Sequence, residues 1–310
     1  MIMISMPTGA TPKILVLLAT HNGANWLEEM LVSIRCQIGV DLTILVSDDA
    51  SSDTSVEILN AHAEVDPRIK ILPFVGKFGA AGQNFFRLLK AAEGFEFDAL
   101  AFADQDDIWL PRKLIQQYEC MTKEGADGVS CDVAAFWPDG AIKHIVNSFP
   151  VKRYDYYSQS AGQGCTYLMS RRACELFWKV APDVDLTHVT YHDWLMYALV
   201  RGAGLHWVIM NAVLVMYRQH GSNVIGSRGS FAGVKKRLML VRSGWLREQM
   251  SLISGVVSRL SPNPDAFATS LAAPKPSWRR RFSLLKRAHQ LRRDFAGAVM
   301  MTVFAILGWV

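Results

Sequence analysis

Apolar residues along the first half of the chain fall into two alternating rhythms. Short apolar runs at Lys13 to Ala19, Leu42 to Ser47, Ile69 to Pro73 and Asp98 to Ala103 read as buried strands, and between them apolar positions recur at helical spacing. Leu27, Leu31 and Ile34 mark a first helix, opening near Asn25 with Glu28 three residues on as in a capping box. Ser51, Ser52 and Asp53 supply caps for a second helix through about Ala63. Phe85, Leu88, Leu89 and Ala92 mark a third that stops at Gly94, and Pro111 at a first helical position opens a fourth through about Met121. Strand and helix in turn predict an α/β fold with a mostly parallel sheet between helices. From about Gly128 the alternation loosens, and a strand-like run returns at Ala212 to Met216.

The strands end in polar clusters: Thr20 and Asn22 after the first, Asp48 and Asp49 after the second, and Asp104, Asp106 and Asp107 after the fourth. Parallel strands bring such ends to one edge of the sheet, where open α/β folds bind ligands. Asp104 and Asp106, two apart, share a side of an extended backbone. Carboxylates packed this closely repel one another unless a cation neutralises them. Oxygen ligands that share a cation with substrate phosphates suit Mg²⁺ or Mn²⁺. Each cluster alone is more often a turn or a helix cap than a ligand site; their convergence shifts the balance toward recognition of base, ribose and diphosphate. Lys77, in the glycine-containing loop Gly76 to Gly82, reads either as a phosphate contact or as a solvated lysine. Further on stand Gly162 to Thr166, then His192–Asp193–Trp194 opening an apolar helix that ends at Gly202, then Tyr217 to Asn223. Asp193 reads by default as a helix cap and His220 as a surface histidine.

At 310 residues and 50% hydrophobic content the chain is long enough to bury a full core. Its five cysteines lack the spacing of a disulfide framework or a zinc site and point to a reducing compartment. The formal net charge of +5 is unevenly shared, because residues 231–310 carry fourteen Lys or Arg against three Asp or Glu. The N-terminus lacks the pattern of a signal peptide. No stretch reaches the roughly 20 apolar residues of a spanning helix. The nearest is Ala296 to Val310, which follows the basic segment Arg279 to Arg293. That order suits an anionic membrane surface, and equally a last core helix behind a solvated basic face. Nucleic acid is not the expected partner, since apolar residues dominate the end of the tail.

Six elements in order, Ala19–Thr20–His21–Asn22–Gly23, Ser47 to Asp53, Asp104 to Pro111, Gly164–Cys165–Thr166, His192–Asp193–Trp194 and Tyr217 to Asn223, resemble the family 2 glycosyltransferases of the GT-A fold, most closely bacterial rhamnosyltransferases. The resemblance spans about residues 13–226. It departs at His21, where such proteins usually carry Tyr or Phe, and it does not reach residues 231–310. It implies a GT-A (Rossmann-like) domain over residues 1–230; the charge and apolar patterning of residues 231–310 predict a basic, helical C-terminal extension suited to a membrane surface.

The resemblance also assigns roles. Thr20, Asn22, Asp48 and Asp49 would bind the nucleoside and Asp104 the ribose. Asp106 would hold Mg²⁺ or Mn²⁺ on the diphosphate, with His220 closing over it and Asp107 behind. Gly164 and Cys165 would lie near the sugar or acceptor, where small side chains permit close backbone approach. Asp193 would be the base that deprotonates an acceptor hydroxyl, a single base opposite the leaving group giving inversion. A partly desolvated Asp193 would serve better, because an ordinary carboxylate is a weak base. The implied reaction moves a sugar, rhamnose from a dTDP donor by resemblance, onto a surface-polysaccharide or lipid-linked glycan, by a cytoplasmic enzyme resting on the inner face of the cell membrane.

Two rivals stand beside it. One is a nucleotide-sugar-binding scaffold without turnover, against which intact Asp106 and Asp193 count; the other is an enzyme with a polyprenyl phosphate acceptor, which needs no base. A phosphatase, a calcium loop and a dinucleotide-binding domain are excluded, because the first strand ends in Thr–His–Asn, Asp104 to Leu110 lacks the central Gly and terminal Glu, and no G-x-G-x-x-G follows Ala19.

Overall fold

In strand β1 (Lys13–Thr20) successive side chains serve different cores: Leu15 and Leu17 enter one hydrophobic cluster, Ile14, Val16 and Leu18 the other. Strand β4 (Ala99–Asp104) repeats the division, with Leu100 and Phe102 on one side and Ala99, Ala101 and Ala103 on the other. Strands buried on both faces read as continuous apolar runs, which is why these were legible. The computed structural model describes residues 10–221, 238–260, 265–272 and 278–310.

The remaining strands are β2 (Asp41–Asp48), β3 (Ile69–Ile71), β5 (Ile108–Trp109), β6 (Gly128–Phe136), β7 (Ile142–Ile145), β8 (Leu168–Ser170) and β9 (Trp207–Arg218). Among the described residues they form one mixed sheet in the order β3-β2-β1-β4-β8-β6-β9-β5, with β7 on β6. Pairing is parallel from β3 to β4 and between β6 and β9, and antiparallel at β8, β7 and β5. The loosened pattern after Gly128 thus hides strands, including β6 with its irregular register at Asp132.

Helices α1 (Leu27–Arg35), α2 (Ser55–Val65) and α4 (Lys113–Glu124) cover one face. The other carries α3 (Ala81–Ala91), α5 (Arg171–Val180), α6 (His192–Gly202) and the C-terminal helices α7 (Trp245–Ser258), α8 (Ala266–Ala272), α9 (Trp278–Leu291) and α10 (Phe295–Leu307).

Helix starts differ from the local signals. Helix α1 has Trp26 at its N-cap, and Glu28 pairs with His62 of α2 at 2.8 Å rather than closing a capping box. Thr54 is the N-cap of α2, while Asp53 accepts from the backbone of Ala24 and Ser55, both at 3.0 Å. Pro111 precedes α4 by two residues. For Glu28 and Asp53 a partner from elsewhere in the chain, His62 and the Ala24 N–H, takes the side chain that the local signal assigned to a cap.

The C-terminal helices belong to the same core as the sheet. Leu246, Met250, Ile253, Leu284, Leu291, Met301 and Val310 are buried in the cluster that contains Leu15 and Phe102. A boundary between residues 230 and 231 lies outside the described residues. Helix α10 turns Met301 and Ala305 inward, while Phe295, Val299, Val303 and Ile306 face solvent. Among the described residues no helix is long and apolar enough to cross a membrane.

Candidate active site at the carboxyl edge of the sheet

The register explains why three separated motifs meet. Thr20 lies opposite Asp48 and Ala19 opposite Asp104, so β2, β1 and β4 deliver their polar ends side by side. Asn84 of α3 ties this edge together: its amide nitrogen donates to the Ser47 carbonyl at 2.8 Å, and its oxygen accepts from the Ser47 hydroxyl at 2.5 Å. Nothing in the spacing of α3 distinguished Asn84 from an ordinary helical polar residue.

The aspartates after β2 are occupied by the protein. Asp48 accepts from the Thr20 hydroxyl at 2.9 Å and the Ser51 backbone at 2.8 Å. Asp49, buried, accepts from the backbone N–H groups of Phe78 and of Gly79, the latter at 2.8 Å, and so holds the glycine-containing loop against the sheet. Lys77 in that loop is exposed. Asn22, in the left-handed region at φ 49°, accepts from the Ser52 N–H at 2.7 Å. Gln105, between the acidic residues, grips the backbone of His21 in both directions, at 2.8 and 2.9 Å. A side chain at Gly23 would collide with Gln105, which explains the glycine of the His21–Asn22–Gly23 turn.

The acids after β4 are treated differently. Asp106 meets the His220 imidazole at 2.7 Å, and Trp26 stacks on that ring with centroids 4.0 Å apart. Asp107 is fully buried. One of its oxygens accepts from the Arg218 backbone at 3.0 Å, and the other is buried beside the Cys165 thiol without an oxygen or nitrogen partner among the described residues. Burial, then Asp106 and Asp104, push the Asp107 carboxyl well up. Asp104 is pushed up to about 8 by burial and by the charges of Asp106 and Asp193. Asp104, Asp107 and Cys165 present ligand atoms within 4.8 Å of one another.

Two cations stand behind this cluster. The Arg218 Nε donates to the Asp106 carbonyl at 2.8 Å, and its guanidinium reaches Glu29 of α1. Lys113 is fully buried with its ammonium 3.8 Å above the Trp109 ring; burial lowers it to about 8, and Cys131, Cys165 and Asp107 oppose that fall. Its place in the first turn of α4 carried no signal in the sequence.

Asp193 comes from the opposite wall, one residue into α6 rather than at its cap, which is Tyr191. Its carboxyl is pushed up to about 7 by burial, against the hydrogen bond from the Trp194 N–H at 2.7 Å and the influence of the neighbouring Ser160 hydroxyl, and the residue is half-buried. His192 stacks on Phe85 with centroids 3.8 Å apart, and burial lowers it to about 3, so it is neutral packing. Gly164 passes so close that a Cβ would lie 2.8 Å from His192 Nε2 and 3.3 Å from the Asp193 Cβ. The small residue at Gly164 is thus a requirement of α6. Cys165 is fully buried against Asp107 rather than exposed to the cleft.

The structure therefore brings Thr20, Asn22, Asp48, Asp49, Asp104, Asp106, Gly164, Cys165, Asp193 and His220 to one edge of the sheet. Asp193 is close enough for its charge to raise the Asp104 carboxyl. Ser222 and Asn223, the end of the last motif, lie outside the described residues.

The fold is that of solved GT-A glycosyltransferases. The Staphylococcus aureus TarS residues 1–349 in complex with UDP-GlcNAc superpose with a TM-score of 0.60 at 13% identity, covering 96% of this chain and 89% of that one. A mannosyltransferase from Pyrobaculum calidifontis, in complex with GDP-Man and Mn²⁺, gives 0.50 at 16% identity, covering 96% and 86%. The family model of glycosyl transferase family 2 matches residues 15–177, and the chain belongs to that family. It is 36% identical over 249 residues to the dTDP-rhamnosyl transferase RfbG of Shigella flexneri, covering 78% of this chain and 84% of the relative. The protein is accordingly a nucleotide-sugar-dependent glycosyltransferase.

Proposed function

We propose that the protein is an inverting, metal-dependent transferase that moves rhamnose from dTDP-rhamnose to a hydroxyl of a surface-polysaccharide or lipid-linked glycan. The observation that carries this reading is the approach of Asp193, half-buried in the first turn of its helix, to the strand-end acid Asp104, whose carboxyl is raised by burial and then by the charges of Asp106 and Asp193. The sugar follows the similarity to the Shigella flexneri rhamnosyl transferase.

The donor set fits a divalent cation. Asp104 and Asp106 offer hard oxygens and His220 an imidazole, and the raised Asp104 and Asp107 are what acids lacking a counter-charge display. Asp106 and His220 would hold Mg²⁺ or Mn²⁺, with Asp107 behind. When bound there, the ion stabilises charge on the departing nucleoside diphosphate. The Thr20–Asn22 turn and the loops held by Asp48 and Asp49 enclose the nucleoside, with Asp104 toward the ribose. Gly164 lets the backbone approach the sugar, with Cys165 buried behind it. Asp193 takes the proton of the acceptor hydroxyl as it attacks the anomeric carbon from the side opposite the leaving group, which inverts that carbon.

The acceptor side adjoins a surface suited to lipid. Trp278, Phe282 and Leu285 on α9 and Phe295, Val299, Val303 and Ile306 on α10 are exposed beside the cations Arg281 and Lys286. An apolar face flanked by cations fits the inner face of a bacterial membrane. Charged substitutions at Phe282, Phe295 and Ile306 test this better than removing residues 279–310, which would expose Leu284, Leu291, Met301 and Val310 of the core. The triple variant is expected to leave the vesicle-bound fraction in flotation with anionic vesicles; unchanged binding would reject the surface.

The test of the main reading is calorimetric titration with dTDP, UDP and GDP and their common sugars, each with Mg²⁺, Mn²⁺ or EDTA. Metal-dependent binding of one diphosphate class is expected, with dTDP preferred. No binding across the panel would overturn the assignment of this edge as the donor site.

A further inference from the structure

Asp193 is the first of three α6 residues spaced four apart, with Tyr197 and Arg201, and so shares one stripe of the helix with them. Both of the others grip Asp155, a carboxylate with no exposed surface: the Tyr197 hydroxyl donates at 2.9 Å and Arg201 Nη1 at 3.4 Å. Another donor to Asp155 comes from the far end of the chain. Arg293, between α9 and α10 and only 6% exposed, places Nη1 3.2 Å from the Asp155 carboxylate and Nη2 2.6 Å from the Ser160 carbonyl. The Ser160 hydroxyl donates to the Gly162 carbonyl at 2.8 Å and lies beside the Asp193 carboxyl.

The same loop is fastened at further points. Arg292 donates to the Ser158 carbonyl at 2.8 Å, Tyr154 N–H to the Gln290 carbonyl at 3.1 Å, and the Ser158 hydroxyl to the Leu291 carbonyl. Residues 154–160 are thus clamped between α6 and the hairpin of α9 and α10.

We propose that Arg293 is a positioning residue for Asp193: by bridging Asp155 and the Ser160 carbonyl, it sets the loop that faces the carboxylate, so that the C-terminal hairpin completes the acceptor side of the active site. The inference rests on the reading of Asp193 as the base. The family match ends at residue 177, so neither the motif that carries Asp193 nor the arginine that would orient it lies within it. A guanidinium presents a rigid fork that meets a carboxylate and a carbonyl together, whereas a lysine ammonium on a flexible stem holds the same span less firmly. Arg201 stays on Asp155 when Arg293 is removed, so the buried acid keeps one cationic partner.

The experiment measures transfer from dTDP-rhamnose, or from the nucleotide sugar that calorimetry selects, to bacterial membranes as the source of glycan acceptor, with donor affinity followed separately by calorimetry. Arg293→Met is expected to lower kcat roughly tenfold, the scale of a small misplacement of a reacting group, with donor affinity unchanged. Arg293→Lys recovers part of the rate. Asp155→Asn combined with Arg293→Met removes the buried charge together with its partner, which protects the fold, and remains as slow as Arg293→Met. In an Asp193→Asn background Arg293→Met has no further effect, because both act on one step. Loss of donor binding in Arg293→Met and in the double variant alike would mark a general structural role and overturn the inference. Wild-type kcat in both, with Asp193→Asn inactive, would overturn the inference and leave the base reading standing. Wild-type transfer by Asp193→Asn would remove the base reading, and the inference with it.

Discussion

The aspartates that end β2 and those that gather after β4 arise from the same kind of sequence, acids following an apolar strand, yet the fold treats them in opposite ways. Asp48 and Asp49 are met by backbone N–H groups and hydroxyls. Asp107, buried, and Asp104, half-buried beside it, are raised by desolvation and then by neighbouring carboxylates. A carboxylate that accepts backbone donors organises loops. One left short of donors holds unfavourable energy that a cation relieves, so the second region is where ligand binding has most to gain. The same contrast separates architecture from chemistry at an edge whose residue types look alike.

The largest expected effects lie on the chemical side. Asp193→Asn should cut transfer by roughly 10²–10⁴-fold, the usual contribution of a general base, while leaving donor affinity intact; normal transfer with intact binding would remove Asp193 from the mechanism. Asp106→Ala should abolish the metal-dependent part of donor binding, seen as titrations that no longer differ between Mn²⁺ and EDTA. On the architectural side, Asp49→Ala should leave the Phe78 and Gly79 N–H groups without their carboxylate. A cost of about 1–3 kcal/mol in chemical denaturation follows, together with weaker donor binding.

Smaller effects sharpen the contrast through charge. Asp104→Asn removes a carboxyl held up to about 8. Without metal, the variant should melt a few degrees higher than the parent, about 2–4 °C per kcal/mol for a chain of this size, and the gain should vanish when Mn²⁺ and nucleotide are added. The opposite sign, a lower melting point, would show Asp104 to be structural like Asp49.

The pH dependence carries a definite direction. Asp104 and Asp193 titrate higher in the folded protein than the ordinary 3.8, so the folded state holds protons that the unfolded state releases. Stability without metal should therefore decline as pH rises from about 4 and level off above about 8. Transfer should instead rise through about pH 7 as Asp193 ionises. A transfer rate flat from pH 5.5 to 8.5 would deny Asp193 its role.

Much of this site was legible before any coordinates. Thr20, Asn22, Asp104, Asp106 and Asp193 stand where strand ends and a helix start were expected to carry them, because strands buried on both faces write unbroken apolar runs and parallel pairing fixes which ends meet. The supporting groups left no such trace. Asn84, Gln105, Asp155 and Arg293 act through partners dozens to more than a hundred residues away, and in sequence each is an ordinary polar residue in a helix or loop. Strand β6 was missed for a related reason: its pairing with β8, β9 and β7 is nonlocal, and its bulge at Asp132 breaks the register.

The sequence by itself determined the alternation of elements, the edge at which the acids converge and the family to which the chain belongs, since periodicity and short motifs are local properties of the backbone. Only the tertiary structure decided which of those acids are satisfied and which are left raised. It alone made the last thirty residues part of the core, with Arg293 reaching the loop beside Asp193. Burial, desolvation and charge pairing depend on what the rest of the chain packs against each group, and no local stretch of sequence contains that.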